Sequence, residues 1–122
     1  MTKEEAPDFD RLAAMEAVGG DAILLQETVE IFLEDTPGDI ARLQSLLAAG
    51  DWQGAARASH SVKGAAATVG AARLRALALV MEGAAQSGDA AQSAALAPLL
   101  DEAYAGFRRA ALAALWPDTG KT

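Results

Sequence analysis

The first informative feature of this 122-residue sequence is what it lacks. It contains no cysteine, which excludes disulfides, thiolate zinc sites and cysteine nucleophiles. Its only histidine is His60, so a metal site would have to be built mainly from carboxylates. No apolar run is long enough to cross a bilayer, and the acidic start MTKEEAPDFD has no apolar signal core. We therefore expect a cytoplasmic protein with no membrane contact.

Basic residues are scarce as well. The chain has 10 Lys and Arg against 17 Asp and Glu, which gives a formal net charge of -7. Nucleic acids are recognised through a basic footprint, so we expect no nucleic-acid partner. The negative excess favours solubility, or a protein partner with a basic rim. There is also no glycine-rich phosphate loop and no acidic cluster at metal-binding spacing, which predicts a protein that does not use ATP itself.

The secondary structure is predicted to be helical throughout. Strand patterns are rare, whereas alanine, the best helix former, is abundant. Glycine-aspartate pairs mark the end of one helix and the N-cap of the next. These marks predict one short and four long helices, at 8–17, 21–35 with 37–49, 51–69, 71–87 and 89–115. Thr36-Pro37 fits a helix that either continues or restarts there, and Pro98 fits either a kink or the true start of the last helix.

Apolar residues recur at helical spacing within each long helix and identify the candidate core. Its members include Leu25, Val29 and Phe32, then Val62, Ala66 and Val69, then Leu74, Leu77 and Met81, then Leu99, Leu100, Phe107 and Leu112. Short connections place consecutive helices antiparallel, and four amphipathic helices joined in this way form a bundle. We therefore predict an all-α fold, an antiparallel up-down four-helix bundle with a short additional N-terminal helix. We expect one domain over residues 1–122, with the bundle at about 8–116 and short disordered ends.

The sequence ASHSVKGAAATVG (58–70) contains His60 and, four residues later, Gly64. A glycine in the interior of a predicted helix needs an explanation. His60 lies off the apolar face of its predicted helix, with Lys63 and Gly64 about one turn further on. Glycine inside a helix costs roughly 1 kcal/mol relative to alanine, so Gly64 indicates that something approaches the surface beside His60. A neutral imidazole is a good nucleophile, and Lys63 could neutralise a phosphoryl oxygen. The alternative is a surface histidine, a solvated lysine and a glycine that makes room for a neighbouring helix.

The segment ASHSVKGAAATVGAARL resembles the signature of histidine-containing phosphotransfer (HPt) domains: alanine-histidine-serine-leucine-lysine-glycine, then small residues, a glycine and a leucine. The resemblance extends upstream through GGDAILLQETVEIFLEDTPGDIARLQSLLAAGDW and downstream through LRALALVMEGAAQSGD, and so covers roughly residues 10 to 115. It implies a four-helix bundle whose exposed histidine accepts a phosphoryl group from a receiver-domain aspartate and passes it to another. Carried over by position, His60 is the phosphoryl acceptor, Lys63 is the nearby cation, and Gly64 keeps the surface open.

The sequence departs from the family pattern on the following helix. Family members often place a glutamine there that hydrogen-bonds the imidazole, and the matching residue here is Glu82. A carboxylate could accept Nδ1–H and hold Nε2 ready to attack, although it would also stabilise imidazolium. A solvated helix charge is the alternative for Glu82. Ala65 and Thr68 stand where serine and asparagine are common.

The resemblance also implies the partners and the cofactors. The partners are receiver domains of response regulators in two-component phosphorelays, with a hybrid histidine kinase as a further one. We expect a phosphoryl carrier and not an enzyme, with no cofactor of its own, since the receiver supplies Mg²⁺. We expect a monomer, because the face bearing His60 must stay free. In the short first helix, Phe9, Leu12 and Met15 either contribute to docking or cap the core.

Two other functions remain open from the sequence. One is the phosphoacceptor module of a chemotaxis-type histidine kinase, whose histidine is phosphorylated from ATP bound to a separate kinase domain. The chain ends soon after its last predicted helix, and we therefore expect a free-standing carrier. The other is a bundle that has lost transfer and acts only as a binding adaptor, against which the presence of His60, Lys63 and Gly64 argues.

Overall fold

The computed structural model describes residues 6–117, and every regular element in that range is an α-helix. The helices are α1 (Arg11–Ala17), α2 (Ala22–Ala48), α3 (Trp52–Val69), α4 (Ala72–Gln86) and α5 (Ala90–Leu115). The predicted all-α class is confirmed, and the five helices lie where the sequence placed them. The predicted disordered ends fall largely on residues 1–5 and 118–122, which lie outside the described residues.

Four helices begin at an aspartate N-cap. Each aspartate accepts a hydrogen bond from the backbone N–H three residues later, at 2.9 to 3.1 Å; the caps are Asp10, Asp21, Asp51 and Asp89. Three of them follow a glycine with positive φ, namely Gly20, Gly50 and Gly88. The glycine-aspartate pairs thus start helices as predicted, because glycine adopts the left-handed conformation and aspartate satisfies an orphan amide.

Helix α2 runs through Pro37 without a break. A restart at Thr36 is therefore wrong: Thr36 is buried inside the helix and caps nothing. Proline has no N–H to give the carbonyl four residues back, which is that of Leu33. The Tyr104 hydroxyl, from α5, donates to this carbonyl at 2.9 Å and replaces the missing bond. Pro98 likewise lies inside α5, which starts at Ala90 and not at the proline.

The four long helices share a single core. Helix α2 packs against α3 and α5, and α4 packs against the same two helices, while α1 contacts α2 and α3. Phe107 lies at the centre, in edge-to-face contact with Phe32 at 5.0 Å and Phe9 at 5.4 Å between ring centroids. Most of the candidate core is buried as predicted, but Leu99 and Leu112 remain partly exposed.

The segment before α1 fixes the turn between α3 and α4. The Asp10 N–H donates to the Gly70 carbonyl at 2.7 Å, and the Arg73 N–H donates to the Pro7 carbonyl at 2.9 Å. Gly70 has a φ of 73°, and a Cβ added there would overlap the Asp10 carbonyl oxygen. Glycine is therefore required at this turn. The contact holds the C-terminal end of α3, the helix that carries the histidine.

Candidate functional site

The imidazole of His60 projects from the middle of α3 into solvent. Its side chain is 67% exposed, while its neighbours Ser59 and Val62 are buried. The buried Ser59 hydroxyl donates to the Ala55 carbonyl within the same helix, at 2.8 Å. The polar group of Ser59 on the core side of α3 thus has its hydrogen-bond partner within the helix. His60 lies on the outer side of α3, as predicted from its position off the apolar stripe.

Glu82 of α4 joins His60 to Lys63. Its Oε2 atom lies 3.0 Å from Nδ1 of His60, and its Oε1 atom accepts a hydrogen bond from Nζ of Lys63 at 2.7 Å. The Glu82 side chain is only 16% exposed, and that of Lys63 is 22% exposed. The solvated-charge alternative for both residues is therefore wrong, because the two side chains are largely covered and paired with each other.

The contact with Glu82 determines which nitrogen of the His60 imidazole donates the hydrogen bond. The hydrogen bond from Lys63 is the main cause that lowers the pKa of Glu82 below its usual value, and the His60 contact adds to it, while partial burial acts in the opposite direction. Glu82 is therefore ionised at neutral pH and can only accept hydrogen bonds. It follows that Nδ1 is the donor in this contact, so that in a neutral imidazole Nε2 carries the lone pair.

Gly64 leaves an open surface one turn beyond His60. It is exposed, and a Cβ built there would find no heavy atom within 4 Å apart from the backbone of its own helix and its chain neighbours. The alternative that Gly64 makes room for a neighbouring helix is therefore wrong. Within residues 6–117, no packing contact of Gly64 offsets the cost of an interior glycine.

An open depression lies beside the histidine, where α3 packs on α4. It is lined by Ala56, Arg57, His60, Ser61, Glu82 and Gln86. Sequence reasoning assigned no role to Arg57 or Gln86. The spacing of three residues between Arg57 and His60 was a usable signal, because it puts a cation one turn away on the same face. That Gln86 lies beside His60 follows only from the packing of α4 against α3.

A second concave surface, between α2 and α3, lies further along α3. It has a volume of about 200 Å³, and its rim includes Ile31, Asp35, Asp39, Ala65 and Thr68. Ile31 is 60% exposed. Ala65 and Thr68, which stand where serine and asparagine are common in the family, both line this groove. The surface is thus lined by both apolar and acidic side chains.

Helix α1 presents one apolar side chain outward. Leu12 is 72% exposed, whereas Phe9 and Met15 pack against the core. The core-capping alternative therefore holds for Phe9 and Met15. Leu12 stays a candidate for docking.

Residues 6–117 contain neither a metal-binding cluster nor a membrane-spanning helix. No group of three His, Asp or Glu side chains there is arranged to hold a metal ion. Over the same range, no helix has both the length and the apolar character needed to cross a membrane.

Comparison with known protein families supports the resemblance. Residues 27–110 match the family model of the Hpt domain, which confirms the resemblance and includes all four candidate residues. No curated protein and no solved structure matches the chain.

Proposed function

The chain belongs to the Hpt domain family, and from this premise we propose that it is a phosphorelay intermediary whose phosphoryl acceptor is His60. It accepts the group from a receiver-domain aspartate and passes it to a second response regulator. The observation that carries this proposal is the exposed imidazole whose Nδ1 lies 3.0 Å from an ionised carboxylate. That contact leaves Nε2 as the free nucleophile, on the solvent side of the bundle.

The proposed transfer balances without a nucleotide. Nε2 attacks the phosphorus of the receiver's aspartyl phosphate, the Nε2–P bond forms, and the P–O bond to the aspartate breaks with its electron pair on the carboxylate. Nδ1 keeps its hydrogen, so the product ring is positively charged and faces Glu82. Phosphoryl transfer depends mainly on positioning and electrostatics. We propose that the receiver contributes the Mg²⁺ and that this chain needs no cofactor of its own.

The position of Lys63 suits a cation that contacts the phosphoryl group. It lies one helical turn from His60 and is held by Glu82 at 2.7 Å. A flexible ammonium with three donors can retain this carboxylate and also turn a second N–H toward a phosphoryl oxygen. We propose that Lys63 neutralises part of the charge brought by the phosphoryl group.

The surface around His60 supports docking of a receiver. Gly64 leaves open space beside the histidine, and the groove between α2 and α3 is lined by the apolar Ile31 together with Asp35 and Asp39. With a net charge of -7, the chain suits a partner whose apolar contact patch has a basic border. We further propose a single monomeric domain in which the four long helices form an antiparallel up-down bundle, because their connections are short.

Phosphoryl transfer from a phosphorylated receiver, read by intact mass, tests the proposal. We expect wild type to gain one phosphoryl group that is acid-labile and base-stable, and His60→Gln to gain none. The substitution keeps a polar side chain of similar size at an exposed position, so α3 stays folded, and circular dichroism checks this.

The outcomes separate the three functions. A phosphorylated His60→Gln protein, or no transfer to wild type from a panel of receivers, would overturn the proposal. Labelling of wild type by a kinase and ATP without any receiver would favour the phosphoacceptor module of a chemotaxis-type kinase. A receiver that binds without transferring would favour the adaptor.

A further inference from the structure

We propose that Glu82 sets how readily phosphorylated His60 gives up its phosphoryl group, by holding the hydrogen on Nδ1. This inference rests on the proposed function and deepens it. Glu82 does not touch the reacting Nε2 atom and is therefore a positioning residue. Its effect is that phosphorylated His60 releases its phosphoryl group readily instead of retaining it.

The geometry keeps this contact in place after phosphorylation. Nε2 and Nδ1 lie on opposite sides of the ring, so a phosphoryl group on Nε2 leaves the 3.0 Å contact between Nδ1 and Oε2 intact. The other carboxylate oxygen is anchored by Lys63 at 2.7 Å, which restrains rotation of the side chain. Because Glu82 is only 16% exposed, water competes weakly for its oxygens.

Bond balance explains why the hydrogen matters. When the phosphoryl group leaves, the Nε2–P bond breaks and its electron pair returns to Nε2. A ring that still carries hydrogen on Nδ1 departs as neutral imidazole. A ring that has lost this hydrogen would depart as an imidazolate anion, which is a much poorer leaving group. A carboxylate beside Nδ1 favours the protonated, positively charged ring, whereas a neutral amide accepts the same hydrogen bond without the charge.

Other charged side chains on the elements packed around the ring act less directly. They include Arg57 and Lys63 on α3, Arg75 on α4, Arg42, Asp35 and Asp39 on α2, and the N-cap residues Asp10 and Asp51. Asp35 and Asp39 line the groove at Ala65 and Thr68, further along α3, and Asp10 lies at Gly70. Among the described residues, only Glu82 forms an ion pair or hydrogen bond with the imidazole. The two cations on α3 oppose a positive ring, so Glu82 is the group that stabilises it.

The test needs no receiver domain. Potassium phosphoramidate phosphorylates the imidazole directly: the Nε2–P bond forms, the P–N bond of phosphoramidate breaks, and ammonia leaves. A ³¹P NMR titration of the product then gives the midpoint pH at which the ring loses its hydrogen. We expect Glu82→Gln to lower this midpoint by about 1 pH unit, the lower end of the effect of a neighbouring opposite charge.

A second variant is expected to shift the midpoint pH in the opposite direction. Lys63→Gln removes a positive charge near the ring, so we expect it to raise the midpoint. At a pH above the midpoints of both proteins, we expect phosphorylated Glu82→Gln to hydrolyse about tenfold more slowly than wild type, since one unit corresponds to a tenfold change in the protonated fraction. Glu102→Gln, the same substitution at an exposed position of α5, is the matched control and leaves both values unchanged.

The results separate this inference from the proposed function. An unchanged midpoint in Glu82→Gln would overturn the inference, as would shifts of the same sign in Glu82→Gln and Lys63→Gln, which indicate a structural disturbance. If the midpoints move as expected while no receiver transfers to wild type, the inference stands as chemistry of this ring and the proposed function fails.

Discussion

Gly64 shows at the scale of one residue how stability and function oppose each other. The sequence alone marked it as anomalous, because a chain rich in alanine had a better helix former available. The structure shows that no side chain of a neighbouring helix occupies the space beside it. No packing contact with a neighbouring helix offsets the cost of this glycine among the described residues, which supports the docking surface that we propose next to His60.

We expect Gly64→Ala to stabilise the fold and to slow transfer. Thermal or denaturant unfolding should show a gain of about 0.5–1 kcal/mol, since alanine loses less backbone entropy in a helix. Transfer from a phosphorylated receiver should slow by about tenfold, because an added methyl group in a docked surface is overpacked by roughly 1–3 kcal/mol.

Gly83→Ala is the control for this prediction. Gly83 also lies inside a helix with open space around it, but it lines neither the depression at His60 nor the groove between α2 and α3. It should give the same gain in stability with unchanged transfer. A transfer rate in Gly64→Ala equal to that of wild type would remove the argument that Gly64 serves docking.

Glu82 marks the limit of sequence reasoning for single residues. The identity of the residue was enough to pose two alternatives, but choosing between them requires the rotation of α4 about its axis and its register against α3. Both depend on how alanines and larger side chains interlock along the interface, which a hydrophobic pattern does not specify. Arg57 was overlooked for another reason: its position was known, but no partner contact was available to give it a role.

At the scale of whole elements, the ends of helices were more predictable than their interiors. The aspartate caps act within three residues of sequence, and the N-terminal ends of three of the four long helices carry this signal. Continuity of α2 at Pro37 depends instead on Tyr104, which is 71 residues away from the carbonyl that it satisfies. A local pattern cannot contain that information, so the sequence left both outcomes open.

This contact predicts coupling between the proline and the tyrosine. We expect Tyr104→Phe to lower the free energy of unfolding by about 1–2 kcal/mol, because the Leu33 carbonyl loses its donor. In a Pro37→Ala background the new N–H can take over this carbonyl, so the same substitution should cost less. A double-mutant cycle measured by urea unfolding should give a coupling energy of about 0.5–1 kcal/mol. Additive effects would show that Tyr104 does not compensate for the proline.

The whole molecule has one face that combines apolar and acidic character with the exposed imidazole. His60, Gly64 and Thr68 follow one side of α3, and Ile31 of α2 lies across the groove. The distribution of net charge on this face could not be derived from composition, which gave only the total of -7. The sequence nevertheless placed His60 correctly on an exposed surface, because the amphipathic stripe of α3 is clear.

We expect Ile31→Ala to weaken docking of the receiver without changing the chemistry. Loss of the apolar contact should raise the receiver concentration needed for half-maximal transfer by about fivefold, equivalent to about 1 kcal/mol, at an unchanged maximal rate. Rapid-quench transfer assays over a range of receiver concentrations measure both values. Ile23→Ala serves as the control, since Ile23 is 68% exposed on the same helix and does not line the groove. Equal effects of the two substitutions would place docking elsewhere.

The pairing of one carboxylate with both His60 and Lys63 also has an evolutionary consequence. The codons for glutamate and glutamine differ only at their first base, so a single point mutation at position 82 would exchange the charged partner of the imidazole for a neutral one of nearly the same shape. The amide oxygen could keep the hydrogen bond to Nδ1, whereas the amide nitrogen cannot accept from Lys63, so the contact with Lys63 would be lost. If Glu82 acts as we propose, the balance between retaining and releasing a phosphoryl group is within one mutational step of its present setting.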